Sequence, residues 1–176
     1  MILQSSSRIC GIESILPKGQ VLNEAMGYDQ DWINRIGINS RYIANPSDRV
    51  DGFARLASVN LCNRLSWSVT DIDVCVVITQ TPDSQLPGTA IHLQHLLGLR
   101  EEAICFDINL GCSGYPYGLY VVGSLLEKTK GKGLLITGDF SSRIIDPLDA
   151  ATLPIFSDGI AVTALAYEAE SSMMFS

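Results

Sequence analysis

Short apolar runs alternating with stretches of helical spacing constrain this chain most. Residues 71–79 (DIDVCVVIT) are apolar and rich in β-branched side chains, which reads as a strand buried on both faces. Residues 103–108 and the glycine-bounded 134–137 read as two further short strands. An apolar segment at 7–16, closed by Pro17, and another at 160–167 make five. Between them, Phe53, Leu56, Ala57, Leu61 and Leu65 recur at helical spacing and predict a helix over 50–65. Helices are also expected over 89–97, stopped by Gly98, and over 112–126, with Gly131 and Gly133 beyond. A short capped helix is expected at 23–26 and another at 29–35, ending at Gly37. Pro82 and Pro87 bracket a loop, a polar loop covers 139–154, and the tail from 168 to 176 carries no clear pattern. Strand and helix in alternation give an α/β layer structure.

Composition narrows the class. At 176 residues the chain is expected to form one domain over 1–176. It is 47% hydrophobic and only 18% charged, which argues against disorder. A net charge of -7 argues against a nucleic-acid surface, which needs a basic stripe. No segment reaches the ~18 apolar residues of a membrane span. The opening MILQSSSRICGIESILP lacks the basic-then-apolar pattern of a signal peptide. Five cysteines at irregular spacing make no disulfide framework, so a reducing, cytoplasmic compartment is expected. Cys10, Cys75 and Cys105 lie in apolar runs and read as buried free thiols, and Cys62 reads as helix packing.

Cys112 has different neighbours. The apolar run at Phe106 passes into Gly111-Cys112-Ser113-Gly114, after which a helix begins. Helix N-termini carry unsatisfied N–H groups and a partial positive charge, which stabilise a thiolate and make it a better nucleophile. The flanking glycines let the backbone turn sharply and let a substrate approach. The other reading is a packed cysteine beside a tight turn. His92 and His95, three residues apart on one predicted helix, share a face but lack a third ligand; both read as ordinary helix residues, and no metal site is expected.

DINLGCSGYPYGL resembles the active-site segment of β-ketoacyl-acyl-carrier-protein synthase III enzymes, members of the thiolase-fold condensing superfamily. Four other segments match in the same order: GIESILPKGQVLN, DQDWINRIGINSRYIA, DIDVCVVITQTPDSQLPGTAIHLQHLLGL and GLLITGDFSSRIIDPLDAATLPIFSDGIAVTAL. The resemblance covers almost the whole chain. It implies an α/β, thiolase-like half: a mixed five-stranded sheet with helices on both faces, with the C-terminal half absent.

The resemblance also implies a chemistry. Cys112 would take an acyl group from coenzyme A or acyl carrier protein and pass it to a malonyl thioester by decarboxylative condensation. Its own N–H would form part of an oxyanion hole. Trp32 and Arg35 match positions that contact the coenzyme A nucleotide, one by stacking and one by meeting phosphate. The family often has threonine where this chain has Ile36, which loses a hydroxyl; it also often has an arginine in the loop matched by Asp149-Ala150-Ala151, and the absence of that arginine points to a carrier-protein-bound donor. Leu86 matches a residue lining the acyl pocket of a partner subunit. Asp158 and Gly159 are expected to be structural, Gly159 by supplying a backbone angle that other residues cannot reach. No cofactor is implied, since coenzyme A or carrier-protein thioesters are substrates.

The histidine and asparagine that the family uses in condensation come from its second half. The chain is therefore expected to be a fragment of a longer enzyme; a subunit of a split enzyme and a degenerate relative are the alternatives. A homodimer, or a complementary C-terminal half, is the expected partner. Two other functions compete: acyl transfer to oxygen or nitrogen without condensation, and a non-catalytic partner subunit.

Overall fold

The computed structural model of the chain describes residues 3–170 and 173–175; Met1, Ile2, Ser171, Ser172 and Ser176 lie outside the described residues. Five strands form the central sheet: β2 (Ser7–Ile15), β5 (Ile72–Ile78), β6 (Ile104–Ile108), β7 (Lys132–Asp139) and β8 (Gly159–Tyr167), in the order β2-β8-β7-β5-β6. β5 runs parallel to both β6 and β7, and β8 runs antiparallel to β7 and β2. The sheet is mixed, as expected.

Three helices cover it: α2 (Val50–Leu65), α3 (Thr89–Leu97) and α4 (Gly114–Thr129); a shorter helix, α1 (Gln30–Ile36), contributes to neither of the two cores. The side-chain alternation of a strand explains the two layers. On β5, Cys75 and Val77 face a core shared with Ala54, Leu61 and Leu93 of α2 and α3. Val74, Val76 and Ile78 face the opposite core, with Val122 and Leu126 of α4. All five of these β5 side chains are buried, as a near-continuous apolar run requires.

α4 lies unusually close to the sheet. A Cβ on Gly118 would come within 2.6 Å of both Ile78 and Leu135, and one on Gly114 within 2.6 Å of Ile78. Spaced four apart, the two glycines share one helix face and let the start of α4 rest on the end of β5 and the middle of β7.

Two small sheets escape the apolar-run reading. β3 (Gly19–Leu22) pairs antiparallel with β4 (Ser40–Ile43), and β1 (Leu3–Ser5) pairs antiparallel with β9 (Met173–Phe175), in the tail where no pattern was legible. Three expectations need correction. The helix expected from residue 112 starts at Gly114, leaving Cys112 in the preceding turn. The capped helix at 23–26 is a 3-10 turn over Glu24–Met26, and Asn23 makes no side-chain cap. Cys10 and Cys105 are only half-buried, because each sits on an edge strand with one flank uncovered. No helix among the described residues is long and apolar enough to cross a membrane.

Candidate active site

β5 and β6 run in parallel, so their C-terminal ends open at the same edge of the sheet. β6 ends at Ile108, and the chain turns into α4 within a few residues. The turn is closed by Gly114 N–H donating to the Gly111 carbonyl at 2.8 Å. Cys112 occupies its middle and is exposed. Ser113, the residue before α4, makes no side-chain cap, so its hydroxyl does not consume the first-turn N–H groups. The thiol thus stands at the positive end of a 16-residue helix, beside donors that no side chain has capped.

Cys112 lines an open cavity of about 430 Å³. Tyr115 of α4 and Ile78 form one side, and Gly138, Asp139 and Phe156 another. The wall at the end of β5 is fastened by Asp139. Its Oδ1 accepts from Thr79 Oγ1 at 2.8 Å, from the Gln80 N–H at 2.5 Å, and from Thr81 N–H and Oγ1 at 3.1 and 3.2 Å. Thr81 Oγ1 in turn accepts from the Phe140 N–H at 2.8 Å. The fastening holds Gln80 against the Cys112 turn, where a Cβ on Gly111 would stand 3.1 Å from Gln80 Oε1.

The far wall is knotted by Asp158, which is 1% exposed. It accepts from the Ala44 N–H at 2.8 Å, the Ser142 N–H at 2.9 Å and Ser142 Oγ at 2.5 Å. Its structural role is as expected; that of Gly159 is not. The left-handed angle belongs to Gly138, with φ 141°, where a Cβ would lie 2.2 Å from the Gly159 carbonyl oxygen. Gly159 instead gives close packing, since its Cβ would meet Leu16 at 2.8 Å.

The other predicted site residues do not line this cavity. Trp32 lies on α1, half-buried and stacked on Tyr28 with ring centroids 4.6 Å apart. Arg35 is exposed on the same helix. The segment after α1 is tied towards the cavity through two buried residues, Asn23, which donates to the Ile38 carbonyl, and Arg41 of β4, which the sequence did not single out. Arg41 Nη1 donates to the Leu153 carbonyl at 2.6 Å, and Asn23 Nδ2 to the Pro154 carbonyl at 3.0 Å. Both reach the loop that carries Phe156. Arg41 lies within β4 and is buried, so its guanidinium needs partners from elsewhere in the fold.

Leu86 is 90% exposed, in the loop between β5 and α3, beside a cis peptide bond to Pro87. That loop is anchored by charge. Asp83 accepts from the Asp51 N–H at 2.9 Å and lies 3.9 Å from Arg49 and 3.8 Å from Arg143. Asp107 of β6 accepts from the N–H groups of Thr89 and Ala90 at 2.6 and 2.7 Å and so caps α3. His92 faces Asp51 at 3.5 Å, away from the cavity.

The chain resembles known proteins in both sequence and structure. Residues 106–176 match the family model described as 3-oxoacyl-[acyl-carrier-protein (ACP)] synthase III. A putative 3-oxoacyl-[acyl-carrier-protein] synthase 3 of Campylobacter jejuni is 38% identical over 130 residues, covering 74% of this chain and 37% of that protein. A beta-ketoacyl-[acyl-carrier-protein] synthase III of Rhodopirellula baltica is 36% identical over 163 residues, 90% of this chain and 47% of that one. The crystal structure of a 3-oxoacyl-(acyl-carrier protein) synthase from Burkholderia xenovorans superposes with a TM-score of 0.88 at 34% identity, over 96% of this chain and 50% of that one. The chain thus spans about half the length of the relatives it matches. With the mixed sheet and the cysteine turn at its edge, this places the chain in the 3-oxoacyl-[acyl-carrier-protein] synthase III family.

Proposed function

We propose that this chain carries the acyl-accepting half of a decarboxylative condensing site, with Cys112 as the nucleophile. The observation that supports it is the exposed thiol in the uncapped turn before α4, open to a cavity of about 430 Å³. The thiolate attacks the thioester carbonyl, the carbon–sulfur bond of the donor breaks, and the donor leaves as a thiolate that takes up a proton from solvent. N–H groups at the turn, that of Cys112 among them, stabilise the oxyanion that forms on the way. The donor is acyl-coenzyme A or acyl carrier protein, with Trp32 and Arg35 meeting its nucleotide or its arm.

Condensation needs a histidine and an asparagine that this cavity lacks. Both histidines of the chain, His92 and His95, sit on α3 and neither lines it. The two groups come from a complementary C-terminal half. Leu16 at 49%, Tyr117 at 59% and Phe156 at 42% exposure leave apolar surface at and near the cavity for such a partner. Leu86 reaches towards the acyl pocket of a second copy.

Incubation with acetyl- or longer acyl-coenzyme A, or with an acylated carrier protein, tests the reading by intact mass. One acyl adduct on the chain, removed by hydroxylamine and missing in Cys112→Ala, is expected. An adduct that persists in Cys112→Ala would contradict it.

A further inference from the structure

Cys75 and Cys105 stand side by side where the proposed chemistry makes no use of them. They are register partners on the parallel strands β5 and β6, flanked by the pairs Val74↔Ile104 and Val76↔Phe106. Aligned residues on neighbouring strands are about 4.8 Å apart and point to the same face of the sheet. That separation falls within the range of about 4.4–6.8 Å that a disulfide spans. Both side chains belong to the core beneath α2 and α3.

The two thiols are inequivalent. Cys75 is fully buried on an interior strand, whereas Cys105 is half-buried on the edge strand. The neighbouring Cys105 sulfur, together with burial, pushes the Cys75 thiol well up. The neighbouring Cys75 sulfur draws the Cys105 thiol below its ordinary value, against the effect of burial. On the edge strand and only half-buried, Cys105 is the more accessible sulfur and the one that an oxidant meets first.

We propose that Cys75 and Cys105 form a redox modification site, a dithiol that peroxide closes to a cross-strand disulfide. The Cys105 thiolate attacks one peroxide oxygen, the O–O bond breaks, and the departing hydroxide takes up a proton to become water. Cys105 is left as a sulfenic acid. The Cys75 sulfur then attacks the Cys105 sulfur, the S–O bond breaks, and the leaving hydroxide takes the Cys75 proton as water. Two thiols lose two electrons in total and one peroxide becomes two waters. The cross-link ties together the two strands whose ends carry Gln80 and the Cys112 turn, so the state of the dithiol reaches both walls of the cavity. The inference stands independently of what Cys112 does.

The test treats the folded 176-residue chain with hydrogen peroxide, caps remaining thiols with N-ethylmaleimide under denaturing conditions, and maps peptides by mass spectrometry. A Cys75–Cys105 linked peptide that dithiothreitol abolishes is expected, with Cys62 still fully capped. In Cys75→Ala the resolving thiol is gone, and dimedone should label Cys105. Recovery of both Cys75 and Cys105 as capped thiols, while Cys10 or Cys112 is oxidised, would overturn the proposal. The wild-type map decides the question even if the variant fails to fold.

Discussion

β5 and β6 end side by side, but the segments that leave them are held by different forces. The exit from β6 is short and fixed by packing: Gly111 sits under Gln80, Gly114 and Gly118 press α4 onto Ile78 and Leu135, and Cys112 is turned into a cavity. The exit from β5 runs some ten residues to α3 and is fixed by polar anchors, Asp139 at its start and Asp83 in its middle. Beyond those anchors it presents Leu86 outward, with no described residue covering it. One exit offers a nucleophile to a small molecule; the other offers an apolar side chain to another surface.

Asp139→Ala should have the largest effect, because it strips the acceptor from two hydroxyls and two N–H groups at once. Charge-assisted bonds to groups left unsatisfied place the loss at about 2–3 kcal/mol, read by urea unfolding. Asp139→Asn should lose less. Equal losses would show that the anchor does not depend on charge. Gly118→Ala attacks the other exit. Forcing a methyl between Ile78 and Leu135 should cost about 1–3 kcal/mol and slow Cys112 alkylation by shifting the turn. Unchanged alkylation with full stability loss would separate the turn from the helix packing.

A smaller effect should follow pH. Burial pushes the Asp51 carboxyl up, but its bidentate bond to Arg49 and its contact with His92 more than offset this and hold it below the ordinary carboxylate value. A depressed folded pKa gives stability that is fully present above the unfolded value of about 4 and is lost as pH falls through the folded one. The stability gap between the chain and Asp51→Asn should therefore be constant near neutrality and shrink below about pH 4. A gap that widened on acidification would reverse the assignment. Leu86→Ala should change stability by under about 0.5 kcal/mol, since an exposed side chain makes few contacts to lose. It should weaken self-association measured by light scattering. Association untouched by the change would mean that the β5 exit is not a contact surface.

The five central strands were legible because each is an apolar run, and the helices of α2 and α3 because their apolar spacing and glycine stops are strong. The pairs β1–β9 and β3–β4 were not, because three- and four-residue strands carry too little pattern. The turn that carries Cys112 was legible from its glycines and its place after a strand. Asp139 was not, because its partners lie 58–60 residues away and only the fold brings them together. The same holds for Arg41, whose carbonyl partners in the 153–156 loop lie more than a hundred residues on. Gly159 shows the opposite error: the glycine stood out, but the strained angle belongs to Gly138, its neighbour across the β7–β8 pairing.

The central claim is that the turn before α4 makes Cys112 the reactive thiol of this chain. Site-resolved iodoacetamide kinetics on the folded protein test it most directly. Cys112 should be modified first, ahead of half-buried Cys10 and Cys105 and well ahead of buried Cys62 and Cys75. Alkylation of Cys112 no faster than that of Cys10 would contradict it.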